Sequence, residues 1–100
     1  MKLNEAKKVF HAIRRDENRV FVDEHAYADY PDRKFTEQEV IKLISNTKGQ
    51  FQDTDDSDYL GKRFFWRTKD LSNRWIRIVL ELDKDEEGNF ILAISAWRHL

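Results

Sequence analysis

The chain predicts an α+β fold in which N-terminal helices pack on one face of a C-terminal antiparallel sheet of about four strands. Two observations predict it. Apolar residues recur at helical spacing in the first half, and from Gln50 onward the period changes to two. The links between elements are short, so helices first and strands after read as layers around one core, a single domain over residues 1–100.

Each element has its own signal. Over residues 4–15, Ala6, Val9, Phe10 and Ile13 fall on one helical face, with Asn4 as the candidate N-cap. Arg19 to Val22 reads as a short link or strand. Asp23 can cap a short second helix carrying His25, Ala26 and Ala28, which Pro31 should end by pushing its predecessor out of the helical region. The third helix has the clearest start. Thr36 and Glu39 have capping-box spacing, Phe35 and Val40 stand at staple positions, and Val40, Ile41 and Ile44 form the buried stripe. Lys48-Gly49 is expected to close it. Gln50 to Gln52 reads as a short strand, followed by strands over Lys62–Thr68, Trp75–Leu82 and Phe90–Trp97. Asp83 to Asn89 is expected to be a hairpin loop with Gly88 supplying a positive φ.

Strand alternation sorts residues by face. Ile76, Ile78, Leu80 and Leu82 should meet the helices, which turns Trp75, Arg77, Val79 and Glu81 the other way. Phe90, Leu92 and Ile94 are expected in the core, and Ile91, Ala93, Ser95 and Trp97 on the open face with Arg77. Arg63, Phe65 and Arg67 share a face that alternation alone does not choose.

Charge is what points to function. The chain is 37% charged and 40% hydrophobic with a formal net charge of -1, which argues against a generic polybasic nucleic-acid binder. Yet between Lys62 and Arg77 stand six cations (Lys62, Arg63, Arg67, Lys69, Arg74, Arg77) and one acid, Asp70, interleaved with Phe64, Phe65, Trp66 and Trp75. Arginine supplies charge for a phosphate backbone and flat rings supply stacking surface, so RNA is the first partner to consider. There is no cysteine, which excludes disulfides and thiolate zinc sites. No apolar signal core or membrane-length run is present, so the cytoplasm is the default compartment and no membrane partner is expected. The acidic stretch 53–58 fails the EF-hand pattern, because Asp58 stands where glycine is required and Phe64 where the bidentate glutamate belongs. A solvated loop is the simpler reading, with a fold-over onto the basic strands as an internal RNA mimic the sharper one. Gly-rich phosphate loops and GxSxG are absent, and no cofactor or metal is called for.

The order of an initial helix, then Val20-Phe21-Val22-Asp23-Glu24-His25-Ala26, then a Thr-capped helix and a strand meander resembles the small bacterial HA-motif proteins. Those belong to the barnase/colicin D/RelE-like ribonuclease superfamily of toxins. The ending Gly88-Asn89-Phe90-Ile91…Ile94-Ser95-Ala96-Trp97-Arg98 is similar to the last strand of colicin D-like tRNA-cleaving domains and to the Ile-Ser-Ala-Arg ending of BrnT toxins. Where HA-motif proteins carry arginines soon after the HA pair, this chain has Tyr27-Ala28-Asp29, with Arg33 next.

The resemblance implies a toxin-like, metal-independent endoribonuclease, in which the ribose 2′-oxygen attacks the adjacent phosphate. That reaction needs an acid, a base and cations around the phosphorane. His25 is the candidate acid or base, Arg77 the phosphate clamp and Ser95 a hydrogen-bond donor to a phosphate oxygen. Arg63, Arg67, Arg74, Trp97 and Arg98 are the candidate RNA contacts. Each has a plainer reading: a capping histidine, strand arginines paired with Glu81, a serine kept small for packing, a tryptophan covered by a protein partner. His11 and His99 read as a surface and a terminal residue. The resemblance also implies a cognate neutralising protein. The rival function is a non-enzymatic protein- or RNA-binding module of the immunity or adaptor type, and oligomeric state is left open.

Overall fold

The computed structural model describes residues 1–26 and 35–98. Tyr27, Ala28, Pro31, Arg33 and His99 lie outside the described residues, as does the His25 side chain, so the predicted end of the short helix at Pro31 is not part of this description. Among the described residues two α-helices, α1 (Leu3–Ile13) and α2 (Glu37–Ser45), accompany five strands: β1 (Val20–Val22), β2 (Gly49–Asp53), β3 (Arg63–Lys69), β4 (Trp75–Asp85) and β5 (Gly88–Arg98). The α+β class holds, but the sheet has five strands in the order β1-β5-β4-β3-β2 and is mixed rather than antiparallel. Of the segment read as a short link or strand, Val20–Val22 is a strand, and it pairs parallel to β5. So short a segment carries too little periodicity to announce itself; its partner lies seventy residues on.

The helices form where the apolar stripes lie. Ala6 and Phe10 are buried along α1, whose N-cap is Lys2 without a side-chain bond rather than Asn4. In α2 the predicted cap is present: Thr36 Oγ1 accepts from the Glu39 N–H at 3.0 Å, and Phe35 and Val40 are both buried. This helix ends at Ser45, earlier than the predicted Lys48-Gly49.

Gly49 instead opens β2, and its smallness has a structural reason. A Cβ at this position would sit 2.3 Å from the Arg67 carbonyl oxygen and 3.0 Å from the Trp66 ring. Gly49→Ala is therefore expected to cost about 2 kcal/mol by forcing β2 from β3. Urea unfolding measures this, and a loss below about 0.5 kcal/mol would show that the strands part without penalty.

One face of the sheet, carrying Phe51, Phe64, Trp66, Ile76, Ile78, Leu80, Ile91, Ala93 and Ala96, packs with Ala6, Phe10, Val40, Ile41 and Ile44 into a single core. The prediction for β4 holds in Ile76, Ile78 and Leu80, with Leu82 packed at the rim. That for β5 is corrected. Ile91 and Ala93 are buried and Phe90 and Leu92 lie opposite, the reverse of the expected faces. Register passes from Val79↔Ser95 to Leu80↔Ala93, leaving Ile94 as an extra residue. This β-bulge switches parity within the strand. Ser95 and Trp97 thereby reach the open face although Ile91 and Ala93 do not.

The β4–β5 connection is also tighter than expected. Pairing continues to Asp85↔Gly88, so the loop is only Glu86 and Glu87, and Gly88 takes φ +120. Arg19 clamps this hairpin, donating to the Asn89 and Gly88 carbonyls at 3.0 and 2.8 Å and to Asp85 Oδ1 at 2.7 Å. No helix among the described residues is long and apolar enough to cross a membrane.

Candidate nucleic-acid interface

The face of the sheet turned away from α1 and α2 is built by the alternate residues of four strands. Across β2, β3, β4 and β5 the register sets Gln50, Arg67, Arg77 and Trp97 in one row. The next row is Gln52, Phe65, Val79 and Ser95. On the far side of the first row stand Lys69 and Trp75, and beyond the second come Arg63, Glu81 and Leu92. Among the described residues no helix packs on this face. Val79 at its centre is nevertheless only 7% exposed, shielded by the long side chains around it.

Those side chains interleave charge with rings. The Arg77 guanidinium lies 4.7 Å from the Phe65 ring centroid and 5.5 Å from that of Trp97. Arg67 lies 4.3 Å and Lys69 Nζ 4.8 Å from the Trp75 ring, itself 39% exposed. Stacking on a ring steadies a guanidinium without spending its N–H donors, and contributes about 0.5–1 kcal/mol at exposed sites. Arg67 and Arg77 are direct cross-strand partners. Neither forms an ion pair with a carboxylate among the described residues, and Arg77 Nε is buried without a hydrogen-bond partner there. Like charges facing each other across a ladder are destabilising.

The structure brings some of the predicted site residues together and separates others. Arg67, Arg77, Ser95 and Trp97 share the open face in adjoining rows. Arg63 is on that face too, but Glu81 Oε1 takes its Nε at 3.1 Å and the Tyr59 ring covers it at 3.9 Å. Arg74 sits at the β3–β4 turn, bonded to Asp70 Oδ2 at 3.1 Å. Asp70 also accepts from the Ser72 and Arg74 backbone N–H groups at 2.9 Å each, shaping a turn in which Asn73 takes φ 62. Burial pushes the Asp70 carboxyl up, but the Arg74 N–H and charge and the Ser72 N–H outweigh it and hold the pKa below the usual value. Arg98 is not on the open face. The bulge turns it toward α2, where Nη2 reaches Glu39 at 3.3 Å and the guanidinium lies 4.0 Å from the Phe35 ring.

His25 belongs to a single 3-10 turn, Glu24–Ala26, that continues from β1 and packs beside β5. The turn is fixed there by the Asp23 N–H donating to the Ala93 carbonyl at 2.8 Å and by Ala26, fully buried. Phe65, Lys69 and Trp75 were not singled out as contacts from sequence, although each shares parity with Arg67 or Arg77, which was the available signal. His11 is exposed as expected, yet packs edge-on at 5.4 Å from Phe10 and 6.0 Å from Trp66. Burial, then the charges of Arg14 and Lys7, lower its pKa.

The acidic loop keeps its carboxylates to itself. Asp53 accepts from the Thr54 N–H and Asp56 from the Asp58 N–H, at 2.9 and 3.0 Å. Among the described residues, none of them pairs with an open-face arginine, which removes the fold-over reading. No group of three or more His, Asp or Glu side chains among those residues is arranged to hold a metal ion. Comparison with known proteins adds no assignment: no family model, no curated protein and no solved structure matches this chain.

Proposed function

We propose that this chain binds RNA on the open face of its sheet. The observation that carries the reading is the Arg67–Arg77 pair, two like-charged residues directly opposite each other across the β3–β4 ladder, each stacked on a ring and neither paired with a carboxylate among the described residues. A phosphate held by both turns that repulsion into charge-assisted hydrogen bonding, and the rings of Trp75, Phe65 and Trp97 offer stacking surface on either side. With Arg67, Arg77 and Lys69 as the phosphate contacts, log K should fall with log salt at a slope of about -2, from roughly -0.7 per phosphate on a single strand. Anisotropy of a labelled oligonucleotide between 50 and 200 mM salt, a range chosen because steep losses are expected across it, measures the slope. A salt-insensitive complex, or none, would move the reading to a protein interface, whose aromatic and arginine anchors have the same composition.

A second reading, cleavage of the bound RNA, is favoured by the position of Ser95, one row from Arg77 on the same face, and of the His25 turn beside β5. In that reaction the 2′-hydroxyl gives up its proton as its oxygen attacks phosphorus, and the 5′-oxygen leaves with a proton. The products are a cyclic phosphate and a free 5′-hydroxyl. Arg77 would stabilise the phosphorane and His25 would carry one of the protons. Such a toxin-like enzyme would have a neutralising partner covering this face. End-labelled RNA incubated with wild type should yield cyclic-phosphate ends that His25→Ala abolishes. Intact RNA with a wild-type protein that binds it would remove cleavage and leave binding.

A further inference from the structure

Unpaired charge on the open face changes sign along the strands. Moving down β4 from Arg77, the same face presents Val79, then Glu81, then Asp83, and the β4–β5 hairpin adds Asp85, Glu86 and Glu87. Arg63 pairs with Glu81 and Arg19 with Asp85 and Glu87 at this end, whereas at the opposite end Arg67, Lys69 and Arg77 stand beside Trp75 with no carboxylate partner among the described residues. A polyanion laid along the strands would pass from those cations to the Arg63–Glu81 pair about 13 Å on and to Asp83 about 20 Å on, at roughly 3.3 Å per residue. Laid across them, it follows the Gln50–Arg67–Arg77–Trp97 row for about 14 Å, three strand spacings of roughly 4.8 Å, without meeting an acid.

The rings constrain the ligand in a second way. Trp75 borders the row on one side and Phe65 on the other, and Trp97 closes its end, each on a flat sheet surface. Such rings reach only bases that are already unstacked, which a duplex does not offer. At the β2 end, Gln50 is exposed and Gln52 half-buried, and the Gln52 amide donates to Gln50 Oε1 at 3.3 Å. That bond leaves the Gln50 amino group and Gln52 Oε1 as one donor and one acceptor at the sheet edge.

Resting on the RNA reading, we propose that the ligand is single-stranded and crosses the strands from Trp97 to Gln50, occupying two or three nucleotides. A sheet of comparable width with exposed aromatics stacks about that many bases.

The test is direct titration of oligouridylates of two to ten nucleotides and of a ten-base-pair RNA duplex, with Gln50→Glu and Asp83→Lys as variants. Affinity should rise up to about three or four nucleotides and then grow only with the number of binding registers, and the duplex should bind at least about 10-fold more weakly. Gln50→Glu puts an anion at the end of the row and should weaken binding about 5–10-fold, while Asp83→Lys, at the acidic end, should change it less than about twofold. Affinity that keeps climbing past eight nucleotides, tightening by Asp83→Lys, or equal binding of the duplex would each overturn the crossing geometry while leaving RNA binding in place. No binding by any of these nucleic acids would overturn both readings.

Discussion

Arg14→Ala is expected to destabilise the fold by about 3 kcal/mol, the largest effect of any single truncation outside the apolar core. Arg14 is 6% exposed and has no carboxylate partner among the described residues. Its charge is met instead by the C-terminal end of α2. Nε donates to the Ile44 carbonyl at 2.8 Å, Nη2 donates to the Thr47 carbonyl, and the guanidinium lies 4.5 Å from the Trp66 ring centroid. The Ile44 carbonyl, in the last turn of α2, carries the negative end of the helix dipole, so the cation is placed where it is favoured. The same corner is tied by Trp66 Nε1 donating to the Leu43 carbonyl at 2.8 Å and by Thr68 Oγ1 against Thr47 Oγ1 and the Lys48 carbonyl, both at 2.7 Å. Truncation removes two charge-assisted bonds, leaves two carbonyls short of a donor and empties the space against Trp66. Arg14→Lys keeps the charge but not the fork, and should cost about half as much. Urea unfolding followed by far-ultraviolet circular dichroism measures both. A loss under about 1 kcal/mol for the alanine variant would mean that water replaces the guanidinium without penalty.

That corner shows what the sequence could and could not disclose. The Thr36 cap of α2 and the alternation of β3 and β4 were legible, because each is carried by residues close in the chain. Arg14 was only the last turn of a helix in sequence; its role needs Ile44, Thr47 and Trp66, thirty to fifty residues away. The same limit left Arg19–Val22 open between link and strand, hid its parallel pairing with β5, and hid the bulge at Ile94. Strict alternation over Phe90–Trp97 puts Ile91 and Trp97 on one face. The chain resolves the conflict by inserting one unpaired residue, burying Ile91 and Ala93 while turning Ser95 and Trp97 outward. A local apolar pattern does not reveal where such a slip falls. The Lys62–Arg77 cluster was legible as chemistry before its geometry, but only the register separated its members. It put Arg67 and Arg77 together and gave Arg63 to Glu81, while the turn gave Arg74 to Asp70.

The facing arginines give the sharpest test of the proposed site, because binding and stability should respond differently. Arg77→Gln and Arg67→Gln should each lower RNA affinity at least about 10-fold near 100 mM salt, the loss of a two-pronged phosphate contact. Each should leave stability within about 0.5 kcal/mol of wild type. The lost ring contact, about 0.5–1 kcal/mol, is offset by relief of a like-charge cross-strand pair, about 0.2–1 kcal/mol. The double variant gives up both ring contacts but relieves the repulsion only once. It should therefore be less stable than the two single effects summed, by the size of that repulsion, about 0.5 kcal/mol. Raising salt should shrink the coupling, since the charges are partly solvated and screening reaches them. If each arginine were instead a packing residue, the single variants would lose more than about 1 kcal/mol, the coupling would have the opposite sign and salt would not change it. If the two arginines repel each other across the ladder, and their removal costs ligand rather than stability, the pair serves an anion that comes from outside the chain.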